Sequence, residues 1–425
     1  MPTAGAKSTQ ANFALPKFLY QEEVLMNQVK LGIIGLGNMG SGHCNNILAG
    51  LTPEIKLTAA ADLRQSRRDW AKETLPDDVV LFENGDQLIE SGLCDAVIIA
   101  TPHYEHPRLA ILAFEHGLHV MSEKPAGVYT KQVREMNEAA IRSGKVFGMM
   151  FNQRTNCVYR KMHEMVQSGK YGQIKRVNWI ITDWYRTQAY YNSGGWRATW
   201  DGEGGGVLLN QCPHNLDLLQ WICGLPCRVR AFCHNGKWHQ IEVEDDVTAY
   251  LEFPNGATGV FVTTTADAPG TNRFEITLER GKLVAEHDKL TFFELEQSER
   301  DFCFTATGGF EQPAGHEVTI ELDGKNPQHV GVLNAFAGAI LRGEPLVANG
   351  TEGIRGLELS NAMHLSSWTD QTVTLPIDEA LFLEKLNEHR KASKVKTEVT
   401  EATFDTSDSY GSKVSDNTDK GGVKA

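Results

Sequence analysis

The residue types with the clearest capacity for chemistry lie at positions 204–217, in the stretch GGGVLLNQCPHNLD. Three consecutive glycines allow close approach to another group because they carry no side chain. An imidazole titrates near neutral pH, so His214 could exchange a proton with a bound molecule. The amide of Asn210 cannot accept a proton and can only orient a hydroxyl or an amine. Asp217 could fix the histidine ring, cap local backbone, or serve structure alone.

Pro213 leaves two helix registers open in this stretch. A helix could begin near Cys212 with the proline in its first turn, or begin at Gly206 and kink at the proline. Asn210 and His214 face the same side only in the second register. Both registers keep His214 near the glycines.

A second candidate group, Glu123-Lys124-Pro125, directly follows the strand-like run LHVMS. If that run is a parallel strand, Lys124 lies at its carboxyl end, which is the edge where such sheets bind ligands. Burial and a nearby cation would lower the pKa of the lysine and allow it to act as a base. We expect Lys124 to be the main acid–base group with His214 assisting, and the reverse assignment stays open. A surface lysine and a helix-face histidine bonded to a carbonyl are the structural alternatives.

A glycine pattern near the start of the chain predicts a dinucleotide site. Gly35, Gly37 and Gly40 form G-x-G-x-x-G between the strand-like KLGII and a helical stretch. In that context the glycines allow a tight turn, and the helix N-terminus binds a pyrophosphate. Asp62, 22 positions after Gly40, is placed to accept both ribose hydroxyls of NAD. The arginines that follow it could instead accept the 2′-phosphate of NADP, so NAD is preferred and NADP is possible; they are Arg64, Arg67 and Arg68.

The elements that must position these groups form two patterns. Apolar strands alternate with amphipathic helices over residues 29–150, which predicts a doubly wound parallel α/β sheet. Longer strands paired as hairpins follow over residues 151–392, with a type I′ turn predicted at Asn255-Gly256 and a second hairpin around Gly281. This second domain is expected to be α+β, with helices near 330–341, 352–366 and 378–391. Residues 1–28 are interpreted as an N-terminal arm and 393–425 as a disordered tail.

Composition narrows the classes of partner. The 425 residues contain 41 Lys and Arg against 54 Asp and Glu, a net charge of −13, so a nucleic-acid partner is not expected. The longest apolar runs are far shorter than the roughly 20 residues of a membrane helix, and no signal-peptide core is evident. We therefore expect a cytoplasmic protein without a membrane partner. Cys223, Cys227 and nearby Cys212, Cys233 and His234 lack tetrahedral spacing, and no metal is expected.

Taken in order, these motifs carry a resemblance to one family. The G-x-G-x-x-G turn, Thr101-Pro102, Glu-Lys-Pro and the GGG…His segment together resemble the Gfo/Idh/MocA family of sugar and cyclitol dehydrogenases. The resemblance extends from residue 29 to about residue 380. It implies a Rossmann domain and a substrate domain with a large, open, mostly antiparallel sheet. It also implies a homo-oligomer, a dimer or a tetramer, joined through that sheet.

The resemblance implies roles for individual residues. Lys124 would lie beside the nicotinamide, and His214 would lie across the substrate. Many members carry an aspartate where this chain has Asn210, although the Asn-Gln form also occurs among active members. The residues expected to contact the dinucleotide are Gly35, Gly37, Asn38, Met39, Gly40, Asp62, Thr101, Pro102, His106, Glu123 and Lys124.

The stretch DWYRTQAYYNSGGWRATW suggests a sugar-binding surface, because aromatic faces stack on C–H groups and arginines hold hydroxyls. The expected substrate contacts are Arg154, Tyr185, Trp196, Arg197, Asn210 and His214, with Trp184 and Arg186 as further candidates. The predicted activity is reversible NAD(P)-dependent oxidation of a ring secondary hydroxyl of a sugar, glycoside or cyclitol. Two alternatives stay open: transient C3 oxidation of a glycoside by bound NAD without net redox, and a non-enzymatic sugar sensor.

Overall fold

Parallel strands and flanking helices form the first domain of the computed structural model, which describes residues 28–394, 396, 399 and 400. Within those residues the six strands are β1 (Val29–Ile34), β2 (Ile55–Ala61), β3 (Val80–Phe82), β4 (Ala96–Ile99), β5 (His119–Ser122) and β6 (Phe147–Met149). Their order is β3-β2-β1-β4-β5-β6. From β1 the strands are added toward one edge of the sheet as β2 and β3, and from β4 they are added toward the other edge as β5 and β6. Doubly wound sheets open a ligand crevice at this switch, between β1 and β4.

The strands of this sheet are apolar because helices cover both of its faces. The helices are α1 (Asn38–Leu48), α2 (Gln65–Thr74), α3 (Gly85–Glu90), α4 (Glu105–Glu115) and α5 (Thr130–Ser143). All four residues of β4 are buried, as a strand covered on both sides requires. The predicted doubly wound parallel sheet is confirmed.

A mostly antiparallel sheet forms the second domain. Its strands in the described part of the chain are β7 (Ile174–Ile181), β8 (Arg228–Asn235), β9 (Glu244–Glu252), β10 (Thr258–Thr264), β11 (Asn272–Leu278), β12 (Gly281–Glu286), β13 (Lys289–Leu295), β14 (Gly315–Thr319) and β15 (Val373–Thr374). Their order is β14-β13-β12-β11-β7-β10-β9-β8-β15, and β7 runs parallel to β10. The predicted second domain with a large, mostly antiparallel sheet is confirmed.

The remaining helices pack on this sheet or return to the first domain. They are α6 (Cys157–Gln167), α7 (Gln188–Asn192), α8 (Pro213–Cys223), α9 (Glu299–Thr305), α10 (Gln328–Arg342), α11 (Gly353–Thr369) and α12 (Glu379–Ala392). Val332 and Phe336 of α10 share a buried cluster with Leu31 and Ile33 of β1. Because α10 packs on the Rossmann sheet, a late segment of the chain completes the first domain.

The hairpin at Asn255-Gly256 is confirmed, but its predicted type I′ turn is wrong. β9 and β10 pair antiparallel, with Thr258 opposite Glu252. Gly256 has a φ of +84°, whereas Asn255 is not among the non-glycine residues with positive φ. The amide of Gly256 donates to the carbonyl of Phe253, as in a type I turn followed by a left-handed glycine. The five-residue connection removes the need for two positive φ angles.

One face of the second sheet is packed and the other is open. Trp179 is fully buried and stacks on Phe274 with a ring separation of 4.0 Å and an interplanar angle of 3°. On the opposite face Ile180, Phe232 and Tyr250 are more than two-fifths exposed. Alternate residues of the strands therefore form a core face and an open face, on which these apolar side chains are exposed among charged ones.

The N-terminal arm predicted for residues 1–28 lies outside the described residues except for Gln28. The predicted disordered tail of residues 393–425 also lies outside them, except for residues 393, 394, 396, 399 and 400.

Candidate active site

The turn between β1 and α1 has the shape that a dinucleotide requires. Gly35 has a φ of +91°, and a Cβ there would lie 2.5 Å from the carbonyl oxygen of Ala100. A Cβ on Gly40 would lie 1.8 Å from the carbonyl oxygen of Gly35. Gly37 precedes α1 and has no side chain to cap it, so the helix N-terminus beginning at Asn38 and Met39 suits a phosphate.

Asp62 lies beside this turn at the end of β2. Its side chain is 9% exposed, and its carboxylate accepts the amides of Leu36 at 2.7 Å and Arg64 at 2.9 Å. Arg67 and Arg68 donate to the main-chain carbonyls of Leu36 and Asp62. The half-exposed guanidinium of Arg64 lies 3.5 Å from the Asp62 carboxylate. The carboxylate therefore lies at the position expected for a ribose contact. Arg64 is the most exposed of the three arginines near it.

Lys124 lies just beyond β5 and spans the two domains. Its Nζ donates to the main-chain carbonyl of Asn210 at 3.0 Å. Burial lowers the pKa of Lys124 below its usual 10.5. The carboxylates of Glu123 and Glu203 oppose that shift, and the guanidinium groups of Arg186 and Arg197 add to it. Burial therefore outweighs the two carboxylates in setting the direction of the shift in the Lys124 pKa.

Glu123 faces the opposite direction, into a histidine pair. Its Oε1 lies 2.7 Å from Nε2 of His43 on α1, and the ring of His329 on α10 lies 5.7 Å from that of His43. Burial alone would raise the pKa of Glu123, but the hydrogen bond and the charge of His43 lower it to about 2. Burial lowers the pKa of His329 to about 4. Glu123 thus stays ionised behind the lysine.

The glycine run before α8 packs against protein. Gly204 has a φ of +84°, and a Cβ there would lie 2.3 Å from Val128. A Cβ on Gly206 would lie 1.9 Å from the carbonyl oxygen of Glu244, whose carboxylate accepts the Gly206 amide at 2.9 Å. At both positions the group approached is protein, whereas the family resemblance implied an approach to the substrate or the nicotinamide.

His214 lies in the first turn of α8, whose N-cap is Cys212. The first of the two helix registers is therefore the observed one. The ring is 2% exposed and meets Phe151 edge to face at 6.4 Å. Burial and the positive charge of Lys124 lower the pKa of His214 well below 6.5. The imidazole is therefore neutral at pH 7 and lies near the lysine.

Asn210 is the centre of a polar network. Its amide nitrogen donates to Oε1 of Glu203, and its oxygen accepts from the Tyr190 hydroxyl at 3.3 Å. The guanidinium of Arg197 donates to the Tyr190 hydroxyl at 2.7 Å and lies 3.8 Å from the Glu203 carboxylate. Sequence reasoning missed Glu203, although a carboxylate directly before three glycines was a visible signal.

Arg154 is held within the protein by carboxylates. Its guanidinium donates to Asp217 at 2.6 and 2.8 Å and to Glu352 at 2.7 Å. Asp217 also accepts from Gln220, so its bonds go to Arg154 and its own helix. These contacts join α8 to the turn before α11. Arg154 therefore has a structural role, whereas the sequence predicts that it contacts the substrate.

The aromatic stretch lines the approach to the network. Tyr185 is 51% exposed, and Arg197 lies over the ring of Trp196 at 4.8 Å. Trp184 donates to Asn215 of α8, and Arg186 donates to the main-chain carbonyl of Tyr185.

His106 connects the strand ends on the first-domain side of the site. Its ring lies between the carbonyls of Thr101 at 2.7 Å and Pro125 at 2.8 Å. Thr101 and Pro102 follow β4 directly, so the ring holds the ends of β4 and β5 together.

None of the described helices is long and apolar enough to cross a bilayer. Within the described ranges, no three His, Cys, Asp or Glu side chains gather into a metal-binding group.

The first domain is a Rossmann sheet with a glycine turn, and Lys124 connects it to the open-sheet domain through the Asn210 carbonyl. This arrangement is that of a two-domain nucleotide-dependent oxidoreductase. The family model "Oxidoreductase family, NAD-binding Rossmann fold" matches residues 29–151, and "GFO/IDH/MocA C-terminal domain" matches residues 159–284. The chain therefore belongs to the Gfo/Idh/MocA family, and its first domain is an NAD-binding Rossmann domain.

Named relatives cover most or about half of the chain. Myo-inositol 2-dehydrogenase of Thermotoga maritima is 23% identical over 353 residues, which cover 82% of this chain and 98% of the relative. D-glucoside 3-dehydrogenase of Escherichia coli is 27% identical over 255 residues, covering 54% and 68%.

Solved structures share the fold. The WlbA dehydrogenase from Bordetella pertussis, in complex with NADH and UDP-GlcNAcA, superposes with a TM-score of 0.69 at 24% identity, covering 83% of this chain and all of that one. Levoglucosan dehydrogenase, in complex with NADH and levoglucosan, has a TM-score of 0.67 at 21% identity, covering 82% and 100%.

The Arg154 contacts predict a loss of stability when the arginine is removed. Arg154→Met leaves Asp217 buried without its counter-charge, which costs about 3–5 kcal/mol of unfolding free energy. Urea unfolding followed by circular dichroism measures the change. The matched control is Arg160→Met, because Arg160 pairs with Asp323 at the surface and its loss should cost under about 1 kcal/mol. Equal stability of the two variants would contradict a structural role for Arg154.

Proposed function

We propose that this enzyme reversibly oxidises a ring secondary hydroxyl of a sugar, glycoside or cyclitol, with NAD as the hydride acceptor. The observation that carries the proposal is Lys124, a lysine of lowered pKa at the carboxyl edge of the Rossmann sheet, bonded across the domain boundary to Asn210. His214 and the Glu203 network lie on the same side. Ligands bind at this edge in doubly wound folds.

The residues divide the proton chemistry between them. Bound NAD supplies the hydride acceptor. Lys124, in its neutral form, accepts the proton of the reacting hydroxyl, and in the reverse direction it returns that proton. The pKa of His214 is lowered well below 6.5, so its ring is the poorer base and serves as a hydrogen-bond partner. The Asn210 side chain orients a hydroxyl.

The relatives support this class of substrate. Inositol, glucoside and levoglucosan dehydrogenases are among the proteins that resemble this chain. Tyr185 and Trp196 offer partly exposed faces on which sugar C–H groups stack. Arg197 lies over the Trp196 ring and donates to the Tyr190 hydroxyl, which in turn donates to Asn210.

The cofactor of this proposal is NAD, held by the turn at Gly35–Gly40 and by Asp62. The Asp62 carboxylate would accept the ribose hydroxyls and repel a 2′-phosphate. Arg64 is the residue through which NADP would bind, and repeating the assay below with NADP in place of NAD tests this choice.

Removal of the lysine amine is the sharpest test of the activity. Wild-type protein, mixed with NAD and a panel of inositols, monosaccharides and glucosides, should form reduced cofactor, seen at 340 nm. Lys124→Met should lower kcat by roughly 10²–10⁴-fold because the base is lost. NAD affinity, followed by fluorescence, should change little, and Lys145→Met in the first domain is the matched control.

Three results of this assay would separate the alternatives. An active Lys124→Met variant would contradict the role of the lysine. A single reduction of bound cofactor without turnover would instead support transient oxidation of a glycoside. No reduction with any sugar would contradict the proposed activity.

We also propose that the open face of the second sheet joins copies of this chain into a homo-oligomer. Ile180, Phe232, Tyr250 and Phe293 are 42–51% exposed there. Exposed apolar side chains of this kind mark an interaction surface.

Light scattering after size exclusion should therefore give a dimer or a tetramer. Ile180→Glu with Tyr250→Glu should give a monomer, because charges in an apolar interface oppose association. Ile141→Glu, at an exposed position of α5, should leave the assembly intact. A wild-type monomer at all concentrations would contradict the proposal.

A further inference from the structure

Glu203 is a buried carboxylate that the proposed proton transfer does not yet use. It is 1% exposed and precedes the glycine run. One oxygen accepts the amide of Ala198 at 2.5 Å, and the other accepts the side-chain amide of Asn210. Its main-chain carbonyl contacts the His103 ring at 3.1 Å. A carboxylate is rarely buried unless it is paired, so this environment calls for a cationic partner.

The cations around Glu203 belong to the active site. Arg197 lies 3.8 Å from its carboxylate, and Lys124 and Lys396 face it at longer range. Burial raises the pKa of Glu203, and Arg197 and Asn210 oppose the rise. The ionised form of Glu203 is therefore stabilised by Arg197 and Asn210, which lie on the proposed substrate side of the site.

Asn210 transmits the position of Glu203 to the lysine. The carboxylate accepts from the Asn210 amide nitrogen, which turns the amide oxygen toward the Tyr190 hydroxyl. The main-chain carbonyl of the same residue accepts from Lys124 at 3.0 Å. One residue thus touches the carboxylate with its side chain and the lysine with its backbone.

We propose that Glu203 is the positioning carboxylate of this active site: acting through Asn210 and Arg197, it supplies the negative charge that an amide at position 210 cannot. The inference rests on the proposed function, which it deepens. Glu203 does not receive the substrate proton. It fixes the amide of Asn210 and the guanidinium of Arg197, and it favours the protonated form of Lys124.

The protonation of Lys124 also depends on the charges of neighbouring groups, and a test of Glu203 must leave those charges unchanged. Facing it are the charged groups Glu123, Glu203, Arg186 and Arg197 and the imidazoles His103, His106, His214 and His329. Glu203→Gln changes only one of these charges and retains an oxygen for the Ala198 amide.

The test compares sugar-dependent NAD reduction by wild type, Glu203→Gln and Glu203→Asp across pH. Loss of the negative charge stabilises neutral Lys124, so the acid limb of kcat/KM should move to lower pH in Glu203→Gln. Misplacement of Asn210 should lower kcat by roughly 10–100-fold with little change in NAD affinity. Glu203→Asp keeps the charge, so its acid limb should stay in place while kcat falls.

A charge relocation separates positioning from folding. Asn210→Asp combined with Glu203→Gln returns one carboxylate to the network and should recover much of the lost kcat. The matched control is Glu358→Gln, because Glu358 is a half-buried glutamate of α11 that accepts the Ile377 amide far from Lys124. It should leave kcat and the acid limb unchanged.

Three outcomes overturn the inference, and they can be distinguished. An active wild type with an unaltered kcat and acid limb in folded Glu203→Gln removes the role of Glu203 alone. The role of Glu203 is also removed if Asn210→Asp combined with Glu203→Gln recovers no kcat while it keeps its melting temperature and NAD affinity. An inactive wild type overturns the proposed function and the inference together.

Discussion

The partial burial of one ammonium group at the boundary between the domains is the constraint that organises this molecule. Transfer of an unpaired charge into a protein interior is costly, so a buried lysine either loses its proton or acquires carboxylates. Lys124 has both influences: burial lowers its pKa, and Glu123 and Glu203 raise it. The two carboxylates come from different domains, so the balance exists only when the domains are assembled.

The rest of the fold follows from holding those carboxylates in place. Glu123 is fixed by His43 on α1, the same helix whose N-terminus closes the glycine turn. Glu203 is fixed by the Ala198 amide and by Asn210. Arg154 ties α8 to the turn before α11 through Asp217 and Glu352, which keeps the Asn210 segment at its distance from Lys124. These contacts connect the glycine turn, Lys124 and the Asn210 segment to one another.

Local sequence patterns with fixed spacing were sufficient to predict much of the fold and part of the candidate site. The glycine turn, Asp62 and the strand before Lys124 could be predicted because neighbouring residues alone determine a tight turn and a buried parallel strand. The α8 register stayed open because a proline is compatible with either a first turn or a kink. The turn at Asn255 was assigned wrongly because the dipeptide does not specify the length of the connection.

Contacts between distant segments could not be predicted in the same way. Arg154 looked like a substrate ligand because its partners, Asp217 and Glu352, are 63 and 198 positions away. His43 and His329 reach Glu123 from opposite ends of the chain, and no spacing rule connects them. Glu203 was the exception, since an acidic residue before three glycines could have been noticed. Its meaning still depended on the fold that brings Arg197 and Lys124 to it.

The measurement that tests the central claim most directly is the pH dependence of a single hydride transfer to bound NAD in stopped flow. In the proposed mechanism neutral Lys124 accepts the hydroxyl proton, so the rate should rise with pH and reach a plateau. Because burial lowers the pKa of this lysine, the rise should lie below pH 10.5. Lys124→Met should lose that rise. A wild-type rate that is independent of pH, or one that keeps the same rise in Lys124→Met, would contradict the account.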